Sequence, residues 1–216
     1  MWYSLFKALI GPVLVALCRP RVVGVEGVPH DGPVILAANH CSFVDSLLIC
    51  LVVPRQVTFV AKSEYFDGTG VRGRLRSLFF RVAGQIPVDR RGAEHAEVAL
   101  NAAKGVLRRG GVWAIHPEGT RTSGAVVHRG RTGAMRVAAE TGVCVVPVGI
   151  RGSAGVTPPG ARIWRPSRVS VVFGRPRPAS AYGSECRCAT DQLMAEVAVL
   201  AGLEYVDDYY RNRSAH

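Results

Sequence analysis

Lysine is almost missing from this chain. Lys7, Lys62 and Lys104 are the only three, so nearly all of its 27 Lys and Arg side chains are arginines. Acidic residues are also scarce: 16 Asp and Glu leave a net charge of +11 and a pI near 10.0. A basic surface of this kind attracts polyanions, which include nucleic acid, anionic lipid headgroups and phosphorylated substrates; charge alone does not choose among them. Arginine's planar fork suits phosphate recognition, although a GC-rich genome produces the same bias. No apolar run reaches the ~20 residues that a bilayer span needs. The N-terminal stretch 2–18 lacks the basic start and small-residue cleavage site of a signal peptide. The six cysteines offer no four-ligand set, since Cys186-Arg-Cys188 stands alone, so a structural zinc site is excluded. They read as reduced thiols in a cytosolic setting. Internal repeats and dividing linkers are absent too, and 216 residues fit one domain with a sizeable core.

What is present is apolar in short, separated runs. Residues 2–18 are almost wholly apolar, with Trp2, Tyr3 and Phe6 at one end and Arg19 and Arg21 just past the other. The stretch is either a helix packed on the domain or a helix lying in a membrane interface. Its small polar share favours the second reading. Beyond it, strands are expected over 22–26, 33–38, 56–61, 84–88, 112–115, 143–150 and 168–173. Helices are expected over 46–53, 94–109, 131–141 and 190–203, the last capped by Thr190 or Asp191, and a basic amphipathic helix within 64–80. Pro147 removes a ladder donor, so a bend or a sheet edge is expected there. Strands alternating with helices give an α/β domain with a mostly parallel central sheet flanked by helices. The expected division is a membrane-associating segment 1–21, an α/β domain 22–205 and a frayed tail 206–216.

The heptapeptide Asn39-His40-Cys41-Ser42-Phe43-Val44-Asp45 lies at the exit of the 33–38 strand. Strand-to-helix turns are where open α/β folds place their chemistry. Five residues along a straight helix turn through about 500°, so His40 and Asp45 would point apart if both were helical. They meet only if His40 precedes the helix. Two readings remain open at this point. Asp45 holds the tautomer of a histidine base, or it merely caps the helix from the third position after a Ser42 N-cap. Cys41 beside the candidate base offers a nucleophile, but adjacent residues on a turn usually point apart. A second turn, His116-Pro117-Glu118-Gly119-Thr120-Arg121, follows the 112–115 strand. It groups a carboxylate, a flexible glycine, a hydroxyl and a guanidinium, which make either an anion site or a solvated salt bridge.

Taken together and in order, these segments resemble the glycerolipid acyltransferase family, specifically the 1-acyl-glycerol-3-phosphate acyltransferases. Asn39-His40-x4-Asp45 matches its first motif, Gly84-x-Ile-Pro-Val-Asp89-Arg90 the second, Pro117-Glu-Gly-Thr-Arg121 the third and Val146-Pro147-Val148 the fourth. Arg131-Thr-Gly133 resembles a basic step that precedes the fourth. The resemblance implies transfer of a fatty acyl group from acyl-CoA or acyl-carrier protein to a glycerophosphate hydroxyl, turning 1-acyl-glycerol 3-phosphate into phosphatidic acid, with glycerol 3-phosphate, another lysophospholipid or a glycolipid as the alternative acceptor. It makes His40 the general base and Asp45 its orienting partner. Arg121, with Lys62 and Arg90, would hold the acceptor phosphate. Glu118, Gly119 and Thr120 would shape that site, and Pro147 would help form the acyl or thioester pocket. It implies no metal and no cofactor beyond the thioester co-substrate. The partners are a membrane surface with anionic lipids, on the cytoplasmic face, and no nucleic acid. His116 departs from the aromatic or aliphatic residue usual before Pro117. It either fills the same space or adds a titratable group. The competing class is a non-catalytic protein that docks on anionic membrane; it leaves the His40/Asp45 pair and the second turn without purpose.

Overall fold

A computed structural model describes residues 2–88, 95–158 and 164–210. Its centre is strand β2 (Val34–Ala38), whose five residues are all buried. With no polar side chain to expose, such a run is stable only with a helix layer on each face and a strand on each edge. It pairs in parallel with β5 (Val112–Ile115) on one side and β7 (Val145–Arg151) on the other. Beyond these lie β3 (Val57–Lys62) and β4 (Ile86–Val88) on one flank, and β8 (Ser170–Phe173) and β1 (Arg21–Val23) on the other. The sheet order is β1-β8-β7-β2-β5-β3-β4, and only the β7–β8 pairing is antiparallel.

Alternation along the strands divides the core in two. Leu36, Ala38, Val146, Val148 and Ile150 face α1 (Trp2–Cys18) and α2 (Val44–Val52). Ile35, Ala37, Trp113 and Val145 face α4 (His95–Arg108), α5 (Gly133–Thr141) and α6 (Cys186–Ala201). Each fully buried aliphatic side chain contributes about 1.5–3 kcal/mol, so this double layer dominates the stability. The chain leaves β2 toward α2 on one face and leaves β5 toward α5 on the other. Adjacent parallel strands departing to opposite faces open a crevice at their C-terminal ends.

Several sequence expectations are corrected by tertiary context. Pro147 sits in a strand paired on both sides, not at a sheet edge. Its missing donor is absorbed by a bulge: Val146 and Pro147 lie opposite the three residues 174–176, between the Val148–Phe173 and Val145–Arg177 pairs. Helix α6 begins at Cys186, four residues before Thr190, whose buried hydroxyl donates to Cys186 O at 2.8 Å. The 22–26 segment ends as a strand at Val23. Gly24 turns the chain with φ +78°, and a Cβ there would lie 2.4 Å from Phe173 O. A parallel pair, β6 (Val126–His128) with β9 (Glu204–Val206), was not expected. It ties down the start of the tail, where Asp208 O also accepts from Arg129 N.

Helix α1 packs one face on the domain and leaves apolar side chains exposed on the other. Leu14 and Cys18 are buried, and Tyr3 donates to Cys50 O and accepts from Val57 N, so one face packs on the domain. The other face exposes Leu5, Leu9, Val13 and Val15. Helix α3 (Gly70–Val82) likewise exposes Val71, Leu75 and Leu78 among arginines. No helix among the described residues is long and apolar enough to cross a membrane.

Candidate active site

The exit of β2 is fixed from three directions. Asn39 is buried and its side-chain amide pairs both ways with Ile150, donating to O at 2.8 Å and accepting from N at 2.7 Å. That clamp joins β2 to β7 and holds the next residue in place; sequence reading had noted Asn39 only as a motif letter. The backbone of His40 is bracketed by the turn after β5. Its N–H donates to Glu118 Oε2 at 2.7 Å, and its C=O accepts from Thr122 N at 2.8 Å.

His40 precedes α2, as the spacing requires. Its Nδ1–H donates to Asp45 Oδ2 at 3.0 Å, and the same oxygen accepts the amide protons of Cys41 and Ser42 at 2.7 Å each. Asp45 is fully buried, whereas the His40 side chain is 18% exposed. The capping role is real too. Ser42 Oγ accepts from Val44 N at 3.3 Å, and Phe43 is already helical in φ and ψ. The base-holding and capping readings are therefore one arrangement, in which a single carboxylate oxygen orders the loop, the helix start and the imidazole. With Nδ1 committed as donor, Nε2 is left as the acceptor that proton abstraction needs.

Glu118 is 4% exposed, and both of its carboxylate oxygens are engaged by backbone amides. Its Oε1 accepts from His128 N at 2.9 Å and its Oε2 from His40 N, so it bridges two chain segments. Burial, and then Asp45, push its carboxyl up to about 7 against the pull of those two amides. Gly119 takes φ +76°, and a Cβ there would lie 2.8 Å from Arg131 Nε, so the arginine stem crosses where no other residue fits. Thr120 and Arg121 are exposed, and Arg121 has no carboxylate partner among the described residues. Lys62 ends β3, but its side chain, like all of Arg90, lies outside what is described.

Pro147 points to the α6 face, near Gly174, with Leu200 also against Gly174, on the side of the sheet away from α1 and α2. It does not line the apolar groove. Cys41 is 9% exposed, and burial followed by Asp45 and Glu118 pushes its thiol up to about 12. A thiol so far from ionisation is a poor nucleophile. The groove itself has a volume of about 410 Å³ and is walled by Ile10, Val13, Leu14, Phe43, Leu47 and Phe80. Phe43, three residues beyond His40 and at the start of α2, forms part of its wall. Sequence reading missed the groove because its walls come from segments far apart in the chain.

The family model described as Acyltransferase matches residues 19–151. The chain is 27% identical to the chloroplastic 1-acyl-sn-glycerol-3-phosphate acyltransferase LPAT1 of Arabidopsis thaliana, over 82% of this chain and 48% of that protein. It is 30% identical to the 1-acyl-sn-glycerol-3-phosphate acyltransferase of Borreliella burgdorferi, over 59% of this chain and 49% of the other. It is 33% identical to the lyso-ornithine lipid O-acyltransferase of Pseudomonas aeruginosa, over 63% and 51%. The chain thus spans about half the length of the curated relatives it matches. Among solved structures, the 1-acyl-sn-glycerophosphate acyltransferase PlsC of Thermotoga maritima superposes with a TM-score of 0.73 at 25% identity. That match covers 93% of this chain and 77% of that one.

Proposed function

The chain belongs to the acyltransferase family, and from that premise we propose that it acylates the free hydroxyl of 1-acyl-glycerol 3-phosphate, giving phosphatidic acid. The donor is a fatty acyl thioester, acyl-CoA or acyl-carrier protein. A secondary hydroxyl ionises far above neutral pH, so attack on the thioester carbonyl needs concurrent proton removal. His40 Nε2 takes that proton while Asp45 holds Nδ1–H and stabilises the imidazolium that forms. The tetrahedral intermediate collapses, expelling the thiolate, which receives the proton from His40. Arg121, with Lys62 and Arg90, binds the acceptor phosphate in bidentate fashion. The acyl chain lies in the groove between α1, α2 and α3.

The observation that carries this reading is the 3.0 Å contact from His40 Nδ1 to a fully buried Asp45. It stands on a loop bolted to the turn that bears Arg121. An exposed apolar surface on α1 and α3, set among arginines, supports attachment to the cytoplasmic face of an anionic membrane. The donor and acceptor acyl chains would then reach the groove from the lipid layer.

The test offers acyl-CoA with lysophosphatidate, glycerol 3-phosphate and a lyso-ornithine lipid in parallel. Lysophosphatidate is expected to react fastest. His40→Ala should fold and lose turnover, and Arg121→Ala should raise KM for the phosphate acceptor alone. Unchanged turnover in the histidine variant refutes the assignment. A preference for the phosphate-free lipid refutes the acceptor.

A further inference from the structure

The proposed mechanism leaves one ring at the site without a task. His116 lies flat against His40, with centroids 3.9 Å apart and planes 6° from parallel. On its opposite side Phe59 from β3 stacks at 5.2 Å and 21°. Three rings, two from the exits of β2 and β5 and one from within β3, therefore form one pile, with His116 in the middle and His40 on its exposed end.

Hydrogen bonds fix the middle ring in its own plane. Nδ1 lies 3.1 Å from both Ala38 O and Asn39 O, which only accept, so Nδ1 carries the proton. Nε2 is then the acceptor, and Ser46 Oγ, 3.0 Å away on α2, donates to it. Both edges are satisfied by a neutral imidazole. Desolvation first, then the charge of a protonated His40, pull its titration down to about 3, against smaller opposing effects from Asp45 and the two carbonyls. A second cation therefore does not arise beside His40 when His40 takes up a proton. A phenyl ring in this place would have the face but not the pins.

We propose that His116 is a positioning residue for His40: held by Ser46 and by the Ala38 and Asn39 carbonyls, its ring face fixes the plane of the base. Asp45 grips His40 at one nitrogen and leaves the ring free to swing about that contact. The stack removes that freedom and aims Nε2 into the crevice. A misplacement of about 1 Å at such a group can cost ~100-fold in rate, so a device with this single purpose has enough to act on. The inference rests on the reading of His40 as general base.

Three variants separate the parts. His116→Ala removes face and pins, His116→Phe keeps a face without pins, and Ser46→Ala removes one pin. The readouts are kcat and KM for both substrates, and exchange of the His40 Nδ1 proton followed by NMR in the substrate-free protein. For His116→Ala we expect kcat to fall roughly 10- to 100-fold with both KM values within about twofold, and faster proton exchange. His116→Phe should recover most of the rate, and both it and Ser46→Ala should fall between wild type and the alanine variant. An alanine variant that melts earlier but keeps its kcat and its proton exchange overturns the inference, as does a loss confined to KM. Faster exchange in a protein that transfers no acyl group to any acceptor supports the stack and removes the acyltransfer reading instead.

Discussion

Replacing Glu118 by glutamine isolates a conflict between burial and hydrogen bonding. Two amide donors, His40 N at 2.7 Å and His128 N at 2.9 Å, favour the carboxylate. Near-complete burial, at 4% exposure, and the neighbouring Asp45 disfavour it. Burial wins and carries the group from 4.5 to about 7. Between those values the folded protein retains a proton that the unfolded chain has lost, so stability falls as pH rises through the window and levels off above it. At ~1.4 kcal/mol per pH unit the full loss is about 3 kcal/mol. Glutamine has one oxygen for two donors and sets its own N–H against the other, a cost of about 1–3 kcal/mol at every pH, but it has no slope. Urea unfolding of both proteins from about pH 5 to about pH 8 gives the difference directly, and all other titrating groups cancel. The wild-type advantage should shrink by about 2.5 kcal/mol across that range, the rest of the loss lying below about pH 5. Parallel curves would refute the balance of effects. An advantage that grows with pH would mean that the two amides outweigh burial.

Two further outcomes follow from the same geometry. Asp45→Asn can keep one oxygen for His40 Nδ1–H and the two amides but loses the charge that offsets an imidazolium, so kcat should fall roughly 10²- to 10⁴-fold with the fold intact by circular dichroism. A loss under about tenfold contradicts the role. The double variant Leu9→Gln/Leu75→Gln alters side chains 65% and 61% exposed, so melting should not change. Flotation with anionic vesicles should weaken at least ~10-fold, and undiminished binding counts against the α1/α3 surface as the docking face.

Much of the fold was readable from local pattern. The runs at 33–38 and 112–115 carry no polar residue and are short for a helix, and they form the strands β2 and β5. The five-residue spacing from His40 to Asp45 required a turn followed by a helix start, and that is what forms. Boundaries failed where tertiary contacts overrode local signals. Thr190 looked like a cap, but its hydroxyl bonds back within a helix that starts earlier. Residues 204–206 showed no strand pattern of their own and found an edge at β6. Lys62 and Arg90 remain motif-based assignments.

The amino-acid order alone determined which residues could carry chemistry and which segments had to leave water, because both depend on a side chain and its near neighbours. It did not determine who stands beside whom. Pairing β2 with β5 brings Glu118 and His116 onto His40 across more than 70 positions of chain. The same pleat that turns Val146 toward α2 turns Pro147 away. Those contacts come from strand order and register, set by the packing of the whole domain, and no local pattern encodes them.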